Sequence, residues 1–176
     1  MRAYGRDVEF WDVLTARRDV RSYEERPIAE GDLERILEAG RRAPSSQNTQ
    51  PWDFVLVTDR DLLGRLARVW RGAWHVAHSA ATIALVSPAT EGEGERVQFD
   101  LGQATANIML TAADLGIGSG HSAVEDQALA RALLGLPQGR ICAYLIGLGY
   151  PADRPLKPIR NPDRRSFDDV VHRGAW

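Results

Sequence analysis

The sequence lacks most of the patterns from which thiol, metal or membrane chemistry is built. It has a single cysteine, Cys142, so no internal disulfide and no cysteine-based metal cluster is possible. Cys142 lies in the apolar run ICAYLIGLG and reads as an inert core residue. No apolar run approaches the roughly 20 residues a membrane span needs. The first residues, MRAYGRDVEFW, contain no apolar signal core. No membrane partner and a cytoplasmic location are therefore expected. Charge of one sign is also missing. The net charge is -2 and the pI about 6.1, whereas a nucleic-acid binder is usually strongly basic.

Several chemical signatures are missing as well. His75 and His78 stand three apart in HVAH, with no third ligand nearby to complete a metal site, so they read as structural. Asp168 and Asp169 are adjacent and point apart in any regular element, which makes them a poor acid/base pair. LGIGSGHS departs from the dinucleotide fingerprint at His121 and from the nucleophile elbow at Ile117.

What is present is an ordinary globular balance. The 176 residues are 44% hydrophobic and 26% charged, which suits one domain with a sizeable core. DVEFWDVLTARR predicts a short helix opened by Asp7, with Val8, Trp11 and Leu14 on one face. In the next predicted helix, Leu33, Ile36, Leu37 and Gly40 form the stripe. Residues 53–59 predict a strand. A helix over 59–70 would turn Leu62, Leu66 and Val69 inward. Residues 81–87, ATIALVS, predict a strand buried on both faces. PATEGEGE predicts an acidic surface loop. The longest helix, 97–116, carries the stripe Leu101, Ala104, Ile108, Ala112 and Leu115. Its breadth suggests burial on several sides or at a subunit interface. Ser122 and Glu125 read as a capping box for the helix after them. ICAYLIGLGY predicts the last strand. Strands and helices intermix without a regular βαβ repeat, so an α+β layered domain is expected.

Four polar groups could carry function. Arg17, Arg18 and Arg21 fall within five residues, followed by Ser22 and Tyr23. Arginines past a helix end complement its dipole, but three together match the oxygens of a bound phosphate. APSSQNTQPW places six polar or small residues between Pro44 and Pro51, more than the connection needs. They could be simple turn formers, or they could offer donors and acceptors to a ligand. The glycines of LGIGSGHS would form a loop that lets backbone approach a ligand. Arg160, Arg164 and Arg165 could be a solvated face or further phosphate ligands.

Taken in order, RRDVRSYEERPI, RAPSSQNTQPWDFVLV, AADLGIGS, LIGLGYP and RRSFDDVVH resemble the nitroreductase family of flavin-dependent oxidoreductases, from about Val13 to His172. The first two motifs are the specific ones. The resemblance implies a three-layer α+β fold with a central, mostly antiparallel sheet. It also implies a homodimer in which a C-terminal arm is exchanged. Residues 1–150 would form one FMN-binding domain, and 151–176 the arm. FMN would lie at the dimer interface, with NADH or NADPH as co-substrate. Pro44, Ser45, Ser46 and Asn48 would line the flavin from one subunit. Arg17, Arg18 and Asp19 of the other would grip the phosphate and ribityl chain. Arg21 would face the flavin N1–O2 edge, where a cation favours the anionic reduced form. Backbone at Gly120, His121 and Ser122 would meet N5 and O4. Arg164 or Arg165 would reach the phosphate.

The implied activity is hydride transfer from NAD(P)H through FMN, in ping-pong fashion, to a nitroaromatic, quinone or similar small acceptor. The protein would supply position and electrostatics and no catalytic acid or base. Asp19 departs from the serine usual at its position, and that aspartate also occurs in a flavin-fragmenting dimethylbenzimidazole synthase branch. A synthase of that kind, or a non-catalytic FMN-binding protein, is the alternative. The chain is also short between Val86 and Phe99, which implies an open or tail-covered site.

Overall fold

The computed structural model describes residues 9–89 and 94–176. Asp7 and Val8 of the first helix, and residues 90–93 of the acidic loop, lie outside them. The elements run α1 (Phe10–Ala16), α2 (Glu30–Arg41), β1 (Asp53–Val57), α3 (Arg60–Leu66), β2 (Ala81–Pro88), α4 (Gly94–Asp114), β3 (Gly118–Ala123), α5 (Gln127–Leu134), β4 (Arg140–Gly149) and α6 (Phe167–Val170). Four strands form one antiparallel sheet in the order β1-β2-β4-β3. Helices cover both faces, so the expected three-layer α+β architecture is what the chain adopts.

The central strand β2 is buried from Ala81 to Ser87, as its unbroken apolar run requires. On one face, Leu33 and Ile36 of α2 and Ile108 and Ala112 of α4 pack against Ile83, Ile146 and Leu148. The two helices cross closely at Gly40, where an added Cβ would lie 2.8 Å from the Ile108 side chain. On the other face, Leu63, Leu66, Val76 and Ala130 pack against Ala84 and Leu145. A smaller cluster joins Trp52, Leu85 and Leu101 near the start of β1. Cys142 lies in the second cluster, and burial pushes its thiol up to about 12. A thiol that stays protonated is a poor nucleophile.

Five sequence expectations change in detail. Residues 118–123 form the edge strand β3 and not a loop. The alternate glycines that suggested ligand access are needed for packing: an added Cβ at Gly118 would strike Val20, and one at Gly120 would lie 2.5 Å from the Val20 carbonyl. Ser122 belongs to that strand, and α5 is capped by Asp126, whose carboxylate accepts from Leu129 N–H. Helix α3 stops at Leu66, with a 3-10 turn to Val69, and its inward residues are Leu63 and Leu66, with Leu62 half-buried. Residues Arg71–His78 form a 3-10 segment with no sequence counterpart above. Helix α1 turns Val13 and Ala16 inward, while Trp11 and Leu14 are exposed. The apolar periodicity of α1 is real, but among the described residues Trp11 stays exposed.

Candidate functional site

The arginine segment follows α1 and lies along β3. Val20 N–H donates to the Ser119 carbonyl at 2.9 Å, and Asp19 and Ser119 form a parallel bridge. This contact is why Gly118 and Gly120 must be small. Asp19 sits at the centre of the charged group. Its carboxylate lies 3.3 Å from Arg17, 3.1 Å from Arg21 and 4.0 Å from His121 Nδ1. Arg17 and Arg21 keep solvent access, at 30% and 45% of the side chain. Arg18 is turned away, only 14% exposed, and bonds Asp153 at 2.7 Å and the Arg154 carbonyl at 2.8 Å. The Arg18 hydrogen bond holds the Asp153 carboxyl below the usual carboxylate range. Arg18 thus ties the start of the C-terminal tail to the arginine segment.

Beneath the segment lie two buried polar rings. The Tyr23 hydroxyl donates to the Val20 carbonyl at 2.7 Å, with the Gly147 carbonyl at 3.2 Å. Burial pushes its phenol upward, so it stays a donor. His75 is fully buried, with Nε2 3.1 Å from the Gly120 carbonyl. That contact makes Nε2 the protonated nitrogen, and Nδ1 has no partner in hydrogen-bonding geometry among the described residues. Burial lowers the His75 pKa. The hydroxyls of Ser119 and Ser122, on β3, are likewise buried and have no hydrogen-bond partner among the described residues.

The second polar group is the turn before β1. Gln47, Asn48 and Gln50 all take left-handed backbone, with φ of 52, 57 and 50°. Such φ values strain residues other than glycine, Asn least among these. The turn is over-determined from α4. Ser46 N–H donates to both oxygens of the buried Asp100 at 3.1 Å, and Gln103 Nε2 donates to the Pro44 carbonyl at 3.2 Å. Ser45 Oγ accepts from Gln50 N–H at 2.9 Å. Asp100 was missed in the sequence. The available signal was an acid on the apolar side of the longest helix, one residue before Leu101.

The sheet register places these two groups far apart. Asp53, where the turn enters β1, pairs with Val86, which pairs with Cys142. Ser119, beside Asp19, pairs with Leu148 at the other end of β4. Three strand spacings and six residues separate the corners, roughly 25 Å at standard sheet dimensions. Within one chain, the 44–50 turn and the arginine segment therefore occupy diagonally opposite corners. Arg164 and Arg165 lie in the exposed tail, bonded to the carbonyls of Asp163 and Asp169.

Comparison with known proteins agrees with this architecture. The family model described as Nitroreductase family matches residues 14–88 and 68–150, in two overlapping stretches. A protein of Archaeoglobus fulgidus, provisionally named NADH dehydrogenase/NAD(P)H nitroreductase, is 33% identical over 173 residues. That match spans 93% of this chain and 97% of the relative. A Bacillus subtilis protein named FMN reductase [NAD(P)H] is 24% identical over 170 residues, spanning 85% of this chain and 68% of its own. The crystal structure of a provisionally named NADH oxidase from Clostridium acetobutylicum superposes with a TM-score of 0.84 at 25% identity, covering 94% of this chain and all of that one. The chain belongs to the nitroreductase family.

No helix among the described residues is long and apolar enough to cross a membrane.

Proposed function

We propose that the protein is an FMN-dependent NAD(P)H oxidoreductase that works as a homodimer, each FMN held between the arginine corner of one copy and the 44–50 turn of the other. The observation that carries this reading is the diagonal placement of two polar groups that fit complementary parts of one ligand. Family membership and the names of the relatives supply the class of reaction. When bound, FMN supplies the redox chemistry, with two electrons and a proton taken from NADH or NADPH and handed on to a nitroaromatic, quinone or similar acceptor.

The donor set fits that group. Arg17 offers a solvent-accessible guanidinium to a terminal phosphate, which is why FMN suits the site better than FAD. Arg21 sets a cation where the ring edge gains charge on reduction. Ser45, Ser46 and Asn48, preset by backbone strain and by Asp100, offer hydroxyl and amide groups from the other side. Pro44 stiffens the entry to that turn. Gly120, His121 and Ser122 present an edge strand to the ring, and Arg164 or Arg165 adds a tail cation from the second copy. Arg18 acts through the tail, as the tie to Asp153.

The apolar side chains exposed on one chain agree with a second copy. They include Phe10, Trp11 and Leu14 on α1, and Phe167, Val170 and Trp176 in the tail. Such groups are expected to be covered. The test is the visible spectrum of the purified, FMN-reconstituted protein, followed by acid release of the chromophore. Flavin absorbance and recovered FMN are expected. A colourless protein after reconstitution, or recovery of FAD, overturns the proposal.

A further inference from the structure

The arginine corner carries a feature that phosphate binding does not explain. A site built only to grip an anion gains nothing from a carboxylate at its centre, yet Asp19 stands between Arg17 and Arg21 and bonds both. Its backbone is fixed to the sheet edge by the bridge to Ser119, so the short side chain stays based beside the two cations. His121, on the neighbouring strand, brings its Nδ1 to 4.0 Å of the same oxygen that meets Arg17. The influence of the pair reaches the groups beneath. Burial dominates the raised Tyr23 and the lowered His75, and on each of them Arg21 and Asp19 act in opposite senses. Two arginines and one carboxylate leave one net positive charge where the arginines alone would leave two.

We propose that Asp19 is a positioning and charge-balancing residue that sets the redox potential of the bound flavin, holding Arg21 in place while cancelling part of its attraction for the reduced, anionic cofactor. This rests on the FMN reading above. The potential of a bound cofactor measures the ratio of the protein's affinities for its two redox forms, by linkage. A neighbouring cation favours the form with more negative charge, and a neighbouring carboxylate opposes it. Asp19 therefore keeps the reduced cofactor a stronger donor of electrons than the arginines alone would allow. A purely structural tie would change the affinity for both redox forms together and leave their ratio alone.

The experiment is a spectroelectrochemical titration of the flavin bound to the wild-type protein and to Asp19→Asn, Asp19→Ser and Asp19→Glu. The affinity for oxidised FMN is measured alongside. Asp19→Asn and Asp19→Ser are expected to favour the reduced form about tenfold more than wild type, an upward shift of about 30 mV for a two-electron couple. Asp19→Glu, which keeps the charge, should stay near wild type. Unchanged or lowered potentials in Asn and Ser variants that still bind FMN overturn the proposal. So does loss of FMN from both while Asp19→Glu retains it, because the charge would then serve binding and not potential. Failure of the wild-type protein to bind FMN would instead overturn the reading on which this one stands.

Discussion

The arginine corner and the 44–50 corner occupy opposite ends of one sheet and are held by different forces. At the first, backbone packing is tight, with Gly118 and Gly120 against Val20, but the charged side chains are linked by partly exposed ion pairs. Such pairs contribute little to stability, so these side chains are free to answer to a ligand. At the second, the backbone itself is strained at Gln47, Asn48 and Gln50 and is clamped by a buried carboxylate. The lesson is that the two halves of the proposed site are preorganised in different currencies. One is preset in backbone shape and the other in charge, so substitutions at the two corners should have different signatures.

The largest expected effect comes from the backbone contact at the arginine corner. Gly120→Ala places a Cβ 2.5 Å from the Val20 carbonyl, a main-chain atom that cannot rotate away. A loss of about 3 kcal/mol or more is expected, read as a fall in the urea midpoint without a change in slope. An unchanged midpoint would show that the segment is not locked to β3.

Next is Asp100→Ala, which leaves the Ser46 N–H without its acceptor and frees a strained turn. A destabilisation of about 1.5–3 kcal/mol is expected, accompanied by weaker FMN binding. Asp100→Asn, which keeps an acceptor oxygen, should recover much of the stability. Equal damage from both variants would locate the effect in lost charge and not in the hydrogen bond.

Arg17→Ala should separate the corners most clearly. It removes one exposed ion pair, worth about 0–1 kcal/mol to the fold. FMN affinity should fall by about 10- to 150-fold, the equivalent of one charge-assisted contact. Fluorescence titration against a parallel unfolding curve reads both. A large stability loss, or equal affinity, would contradict the assignment.

The smallest effect concerns His75 under the Gly120 carbonyl. Its folded pKa is lowered by burial, while the unfolded chain takes a proton near the ordinary value of about 6.5. The stability it permits is therefore full above that value and declines as pH falls below it. Stability should fall between pH 7.5 and 5.5, by no more than the roughly 1.4 kcal/mol per pH unit that one group can contribute. His75→Gln should flatten that part of the profile.

Much of this was legible in the sequence, for identifiable reasons. The run ATIALVS announced a doubly buried β2, and the stripe through Leu101, Ala104, Ile108 and Ala112 announced α4. The family motifs pointed to the arginine segment and the 44–50 turn. The strand β3 was hidden because glycine normally marks a loop, and the reason for Gly118 and Gly120 is a neighbour about 100 residues away in sequence. Asp100 was hidden because an aspartate in a helix reads as solvated until its partner, a backbone N–H on another element, is known. The exposure of Trp11 and Leu14 on α1 could not be read from the sequence, because periodicity reports that a face is apolar, not what covers it. The ties from Asp19 to Arg17 and Arg21 could not be read from spacing alone, since three cations compete for two nearby acids, Asp19 and Asp153.

The central claim is that the two corners meet across two copies of the chain, and subunit mixing tests it most directly. Arg17→Ala and Asn48→Ala proteins, each deficient in FMN binding, are unfolded together, refolded as a mixture and titrated with FMN. A shared site predicts that mixed dimers regain one intact site each, so about a quarter of all sites recover wild-type affinity if the chains pair at random in twofold dimers. No recovery from a mixture shown by light scattering to have re-formed dimers would contradict the account, because both corners would then have to serve a site within one chain.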